Sequence, residues 1–120
     1  MSEEELKVLK HVYSLAKDRR IKNEKAQQEN IKTLDEDKEM YTYLEKLDHE
    51  KIKMIQTLMY LGKDKNFDNT DSPEIRYKKE REYMDEIGWK DKELDIKAIE
   101  DKEALDLFLK SAFEILNIKL

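Results

Sequence analysis

Apolar residues recur along this chain at three- and four-residue intervals, and almost nowhere at the two-residue alternation of a strand. In the first stretch Leu6, Leu9, Tyr13 and Ala16 form one seam, which Val8, Val12 and Leu15 widen into a core-facing stripe. Ser2 and Glu5 are spaced as a capping box in front of it, and the stripe fades at Lys17-Asp18-Arg19-Arg20. Residues 22–38 keep only Ala26, Ile31 and Leu34 as apolar positions and read as a polar connector or a solvated helical extension. A short second helix is expected over Asp37 to Leu47, carrying Met40, Tyr41, Tyr43, Leu44 and Leu47.

The third helix is expected to be capped by Asp48, to bury Ile52, Ile55, Leu58, Met59 and Leu61, and to end at Gly62, since glycine takes the left-handed conformation without a Cβ penalty. A polar loop, Asp64 to Asp71, leads to Ser72-Pro73-Glu74, which is a cap, a first-turn proline and a first-turn acid, so a fourth helix starts there and stops at Gly88. Trp89 to Ala98 fits a short helix or an extended strap. The final helix is expected to be capped by Asp101, with Leu105, Phe108, Leu109, Ala112, Ile115 and Leu116 on one face and Leu107 and Phe113 broadening it. The fold class that follows is all-α: a compact bundle of about five helices in one domain spanning 1–120, with the third and last helices at its centre.

Composition narrows the chemistry. The 120 residues contain no Cys, two His, two Gly and one Pro. Disulfide scaffolds, thiol nucleophiles, cysteine zinc sites and iron–sulfur clusters are excluded, and a multi-histidine metal site has too few ligands. Charged residues make up 44%, with 29 acidic and 24 basic, for a net charge of −5. The acidic beginning, Ser2-Glu3-Glu4-Glu5, is unlike the basic region of a secretory signal, and no apolar run approaches the roughly 18 residues of a membrane span. The expected compartment is the cytoplasm.

The motifs that could carry a reaction each fail at a named position. Asp64, Asn66, Asp68, Thr70 and Ser72 occupy alternate positions as in a calcium loop, but Asn69 stands where the turn needs Gly and Ile75 where the bidentate Glu belongs, with Glu74 one residue out of register. His49-Glu50 opens like a zinc-protease helix, yet Lys53 holds the second histidine position. A Glu three residues before His11 or His49, as helical carboxylate metal sites use, is replaced by Val8 and Lys46. Ser14, Ser72 and Ser111 lack a base in pattern. No cofactor is therefore expected.

Two basic clusters, Lys17 to Lys25 and Arg76 to Arg81, could meet phosphate, but Asp18, Glu24, Glu80 and Glu82 interleave them in a chain of pI near 5.2. That balance argues against nucleic acid as the main partner. The residues that could face another protein are Tyr41, Tyr43, Tyr60, Trp89 and Phe113, aromatics of the type that anchors interfaces.

From Leu47 to Asp64 the chain resembles a family of small bacterial proteins, the domain of unknown function thirty-seven seventy-five. The likeness lies in a short acidic cap, an amphipathic helix ending Leu58-Met59-Tyr60-Leu61-Gly62-Lys63, an acidic loop, a following helix rich in Arg, Lys and Glu, and the closing Ala104 to Leu109. The family's Gly-Thr-Pro turn is replaced here by Ile99-Glu100-Asp101. The resemblance implies a cytoplasmic helical bundle and supplies no catalytic residues. Together these readings lead to a non-enzymatic protein-interaction or regulatory protein, binding another protein or itself as a homodimer, one form being an inhibitor of a larger bacterial or phage assembly. The alternatives are a nucleic-acid-associated accessory protein and an enzyme with a non-motif site in the helical core.

Overall fold

The structure is a computed structural model that describes residues 1–28 and 38–120. Among the described residues there are six helices and no strand: α1 (Glu3–Gln28), α2 (Glu39–Glu45), α3 (His49–Asp64), α4 (Pro73–Ile87), α5 (Lys92–Glu100) and α6 (Leu105–Ile115). The extra helix relative to the expected five comes from Trp89 to Ala98, where Asp91 caps Lys92–Glu100 by accepting from Leu94 N at 2.9 Å.

Local chemistry explains most of the boundaries. Ser2 and Glu5 form the capping box reciprocally: Glu5 N donates to Ser2 Oγ at 3.1 Å and Ser2 N to Glu5 Oε1 at 2.9 Å. Asp48 and Ser72 cap α3 and α4 through Lys51 N and Ile75 N. Gly88, at φ 100, ends α4 where a side chain would be strained. The end of α6 follows a Schellman pattern, with Asn117 at φ 56 and Ile118 N donating to Phe113 O at 2.7 Å.

Two expected boundaries change, and the stretch left open between connector and helical extension is helix as far as it is described. The polar stretch after Arg20 continues α1 as helix to Gln28, while 29–37, the rest of the expected connector, lies outside the described residues. Asp101 terminates α5 and does not cap α6, whose first turn starts at Leu105 behind Ala104. Gly62 does not end α3. The helix runs on to Asp64, and Lys65, at φ 52, takes the left-handed cap and donates to Leu61 O at 3.0 Å. Gly62 has another task, because α6 crosses there so closely that an added Cβ would lie 2.9 Å from Ala112 N and overlap the Phe108 carbonyl.

The core follows from that crossing. α3 is packed on by α4, α5 and α6, and α6 in turn by α1, so α3 and α6 are the centre of the bundle. Along α3 every residue from Met54 to Met59 is buried, so this helix is apolar beyond a single stripe because neighbours cover it on several sides. Val8, Leu9, Val12 and Ala16 of α1, Met40 and Leu44 of α2, Ile96 and Ile99 of α5, and Leu105, Leu109, Ala112 and Phe113 of α6 complete one continuous core. α4 differs from all the others in burying none of its residues completely.

Candidate interaction surface

α4 is held to the bundle by Tyr77, which packs against the core, and by polar side chains of the same inner face. Arg76 donates to Ile115 O at the end of α6 (2.9 Å) and to Asn69 O (3.0 Å), with its guanidinium 4.7 Å from the Phe67 ring centre. One helical turn and a residue further, Arg81 bonds Glu50 of α3 at 2.8 Å and Asp85 at 3.1 Å, and lies 5.5 Å from the centre of the Trp89 ring. Trp89 Nε1 donates to Asp85 at 2.6 Å, and the Lys53 ammonium is 5.8 Å from the same indole. The Arg81 hydrogen bond holds the Glu50 carboxyl below its ordinary range, and bonds from Trp89 and then Arg81 do the same for Asp85. Burial opposes the charge on Arg81, but its bonds to Glu50 and Asp85 outweigh that and raise its pKa. Burial, then the charge of Asp64, pushes Glu80 the other way, upward.

Among the described residues nothing covers the outer face of α4. Ile75, Tyr83 and Ile87 are 43%, 57% and 64% exposed, and with Lys79 they follow one another at four-residue spacing, a ridge that winds about 120° round the helix from Ile75 to Ile87. Lys78, Glu82 and Glu86 are exposed beside the row. Tyr83, Lys79, Glu82, Asp85 and Glu86 line a shallow open depression. In the sequence alone Ile75 figures only as the failed last position of the calcium-like loop, and Tyr83 and Ile87 have no assigned role. The spacing Ile75-x3-Lys79-x3-Tyr83-x3-Ile87 was the available signal, masked by the charges around it.

The aromatics expected to form an interface do not share one surface. Tyr41 is half-buried and donates to Glu93 at 3.3 Å, tying α2 to α5; its phenol is pushed up by the Glu45 charge and then by burial. Tyr43, also half-buried, stands edge-on to His11 of α1 with ring centres 4.3 Å apart. Tyr60 lies partly against the core with the Lys63 ammonium 5.8 Å from its ring. Phe113 is 1% exposed and meets Tyr13 edge-on at 5.9 Å, so it is core and leaves the set of interface candidates. Its place on the broad apolar face of α6 is filled by α1. Trp89, half-buried, belongs to the cluster of Arg81, Asp85 and Lys53 between α4 and α3.

Two buried carboxylates escaped the sequence reading. Asp95 of α5 is buried with Oδ2 2.8 Å from Nε2 of His49, at the first turn of α3. Asp106 of α6 is buried and takes Arg20 Nε on both oxygens, at 2.9 and 3.0 Å. Beside it Arg19 donates to the carbonyls of Glu100 and Lys102 at 2.9 Å each, fastening α1 across the α5–α6 turn. Spacing could not reveal these pairs, because their members lie 46 and 86 residues apart.

Each carboxylate is matched by one basic group, which is the arrangement of a structural strut. Among the described residues no three His, Asp or Glu side chains converge as a metal site would require. In the loop after α3, Asp68 Oδ1 accepts from both Thr70 N and Thr70 Oγ1, and Asp71 pairs with Lys79 at 2.7 Å. The two basic clusters do not converge: Arg20 is fixed at the first turn of α6 and Arg76 at its last.

No protein-family model, curated protein or solved structure matches the chain. No helix among the described residues is long and apolar enough to cross a membrane.

Proposed function

We propose that this chain is a non-enzymatic interaction protein that docks through the outer face of α4. The observation that supports this reading is the row Ile75, Tyr83 and Ile87, large apolar side chains left in water on a helix that buries none of its residues fully. Burying such side chains stabilises a complex by about 1.5–3 kcal/mol each before the costs of association, so an exposed row on a rigid element favours a partner. The inner face of α4, pinned by Arg76 and Arg81, keeps the row in place without any partner. A regulator or inhibitor of a larger bacterial or phage assembly, working in the cytoplasm, is the form of this reading that the resemblance of Leu47 to Asp64 accommodates.

The test is a comparison of wild type with Tyr83→Glu/Ile87→Glu, both substitutions lying on exposed positions that should leave helicity and melting temperature unchanged. A protein recovered stoichiometrically with the wild type from its source cells should be lost from the variant. Equal recovery of every partner by the two would remove α4 as the docking element.

A second reading rests on α1. Lys7, Lys10, Lys17 and Lys25 are exposed along its outer side, and no carboxylate among the described residues lies within ion-pair distance of them. Such a row suits a polyanion, including a nucleic-acid backbone, and predicts binding that weakens steeply as salt rises. Absence of any shift with duplex or single-stranded DNA or RNA at low salt would dismiss it.

A further inference from the structure

We infer that the occupant of the α4 face is a second copy of this chain, with the two α4 helices packed antiparallel about a twofold axis at the level of Arg81, on the side of the helix away from it; this rests on the reading of α4 as the docking element. The sequence of α4 is polar along its length as well as across it. Among its exposed charges Lys78 and Lys79 precede Glu82, Asp85 and Glu86, with Glu74 at its start, while Arg76, Glu80 and Arg81 are half-buried. A parallel pair would set Lys78 and Lys79 against their own copies and Glu82 and Glu86 against theirs. The antiparallel pair sets Lys78 and Lys79 against the stretch of the partner that carries Glu82, Asp85 and Glu86, which is the self-complementarity that a twofold interface demands.

The apolar row has the same symmetry. Ile75 and Ile87 are equidistant in sequence from Arg81, so in the antiparallel pair each Ile75 meets the partner's Ile87, about 18 Å apart along the helix at 1.5 Å per residue. Lys79 and Tyr83 are likewise equidistant, which places each ammonium against the partner's phenol ring and beside the partner's Glu82. Lys79 already holds Asp71 with one of its three donors at 2.7 Å, and its side chain remains mostly exposed, so donors are left for a partner. Lys78 and Glu82 are exposed and only 4.0 Å apart within the chain, at the limit of an ion pair, so exchange for an intermolecular partner costs little. A single helix from each chain makes a small interface, and association is expected in about the 10–100 μM range.

The full chain should therefore change from monomer to dimer by light scattering or sedimentation as its concentration passes through that range. Lys78→Glu/Lys79→Glu and Glu82→Lys/Glu86→Lys should each remain monomeric with unchanged helicity, and their equimolar mixture should dimerise. Orientation is read separately, because the chain has no cysteine of its own. Ile75→Cys mixed with Ile87→Cys should form a disulfide-linked dimer under mild oxidation, and neither variant alone should do so at a comparable rate. Preferential self-linking of Ile75→Cys would overturn the antiparallel pair. A folded chain that stayed monomeric to about 1 mM, beyond the range where weak specific complexes form, would overturn self-association altogether. That last result would leave the docking reading itself to the Tyr83→Glu/Ile87→Glu comparison, which reports on any partner.

Discussion

Gly62 on α3 and the Phe108 carbonyl on α6 touch so closely that no side chain larger than hydrogen fits between them. Gly62 has no positive φ and lies two residues inside the helix, so its value is the space it leaves open and not the conformation it permits. At an exposed helix position Gly→Ala stabilises by about 1 kcal/mol. Here the sign should reverse. Gly62→Ala forces the two central helices apart against backbone atoms that cannot rotate away, and we expect a loss of about 3 kcal/mol or more in urea unfolding. A stability equal to or above wild type would mean that α3 and α6 do not cross at this point.

That one residue shows what periodicity could and could not reveal. The apolar spacing identified α1 to α4 and α6, because the 3.6-residue repeat is a property of each segment alone, but left α5, too short for two full repeats, open between a helix and a strap. Ser2, Asp48, Ser72 and Gly88 were legible for the same reason: caps act within three residues. Gly62 was misplaced because a glycine near the end of an apolar run looks the same whether it ends a helix or lets another helix approach. Phe113 was misjudged because a helix apolar on a wide face is equally the sequence of an interface and of a central strut. His49–Asp95 and Arg20–Asp106 were invisible, since their pairing exists only once α3 meets α5 and α1 meets α6. The bare row on α4 was present in the spacing, but only the fold shows that no other part of the described chain covers it.

The bond between Arg20 and Asp106 joins the first helix to the last, and its loss should depend on which partner goes. Removing the guanidinium alone, as in Arg20→Met, leaves the buried Asp106 carboxylate without a countercharge. Removing both, as in Arg20→Met/Asp106→Leu, leaves an apolar contact and no orphan. We expect the single variant to unfold at lower denaturant than the double. The reverse order would indicate that Asp106 finds another donor or water when Arg20 is gone.

Gln56 sits among the buried residues of α3 with its Oε1 unpartnered. An unmade hydrogen bond in the interior costs about 1–3 kcal/mol, and methionine has nearly the same length without the polar atom. Gln56→Met should therefore raise stability by about 1 kcal/mol, seen as a later midpoint in urea without a change of slope. A destabilised variant would reveal a partner for Gln56 in solution, such as a buried water.

The cluster around Trp89 should give the fold a readable acid limit. Glu50 and Asp85 both have lowered pKa values in the folded chain, so each contributes stability that is complete above the ordinary carboxylate range of roughly 4 and is lost as pH falls through the lowered values. Glu80 works in the opposite sense, because burial raises its pKa and its charged form is the costly one; as pH falls from its raised value to the ordinary carboxylate range it gives up that cost on protonation. Stability should thus hold steady or rise slightly on acidification at first and fall only below about pH 4, where the unfolded carboxylates bind protons before the folded ones. Trp89 is the only tryptophan, and its indole donates directly to Asp85. Its emission should shift as Asp85 protonates, since a neutral acid is a weaker acceptor than a carboxylate. In Asp85→Asn that shift should be absent and the acid limb of the stability curve shallower. Identical emission and unfolding profiles for the two proteins from pH 7 to 2 would show that the Asp85–Trp89 bond does not persist in solution.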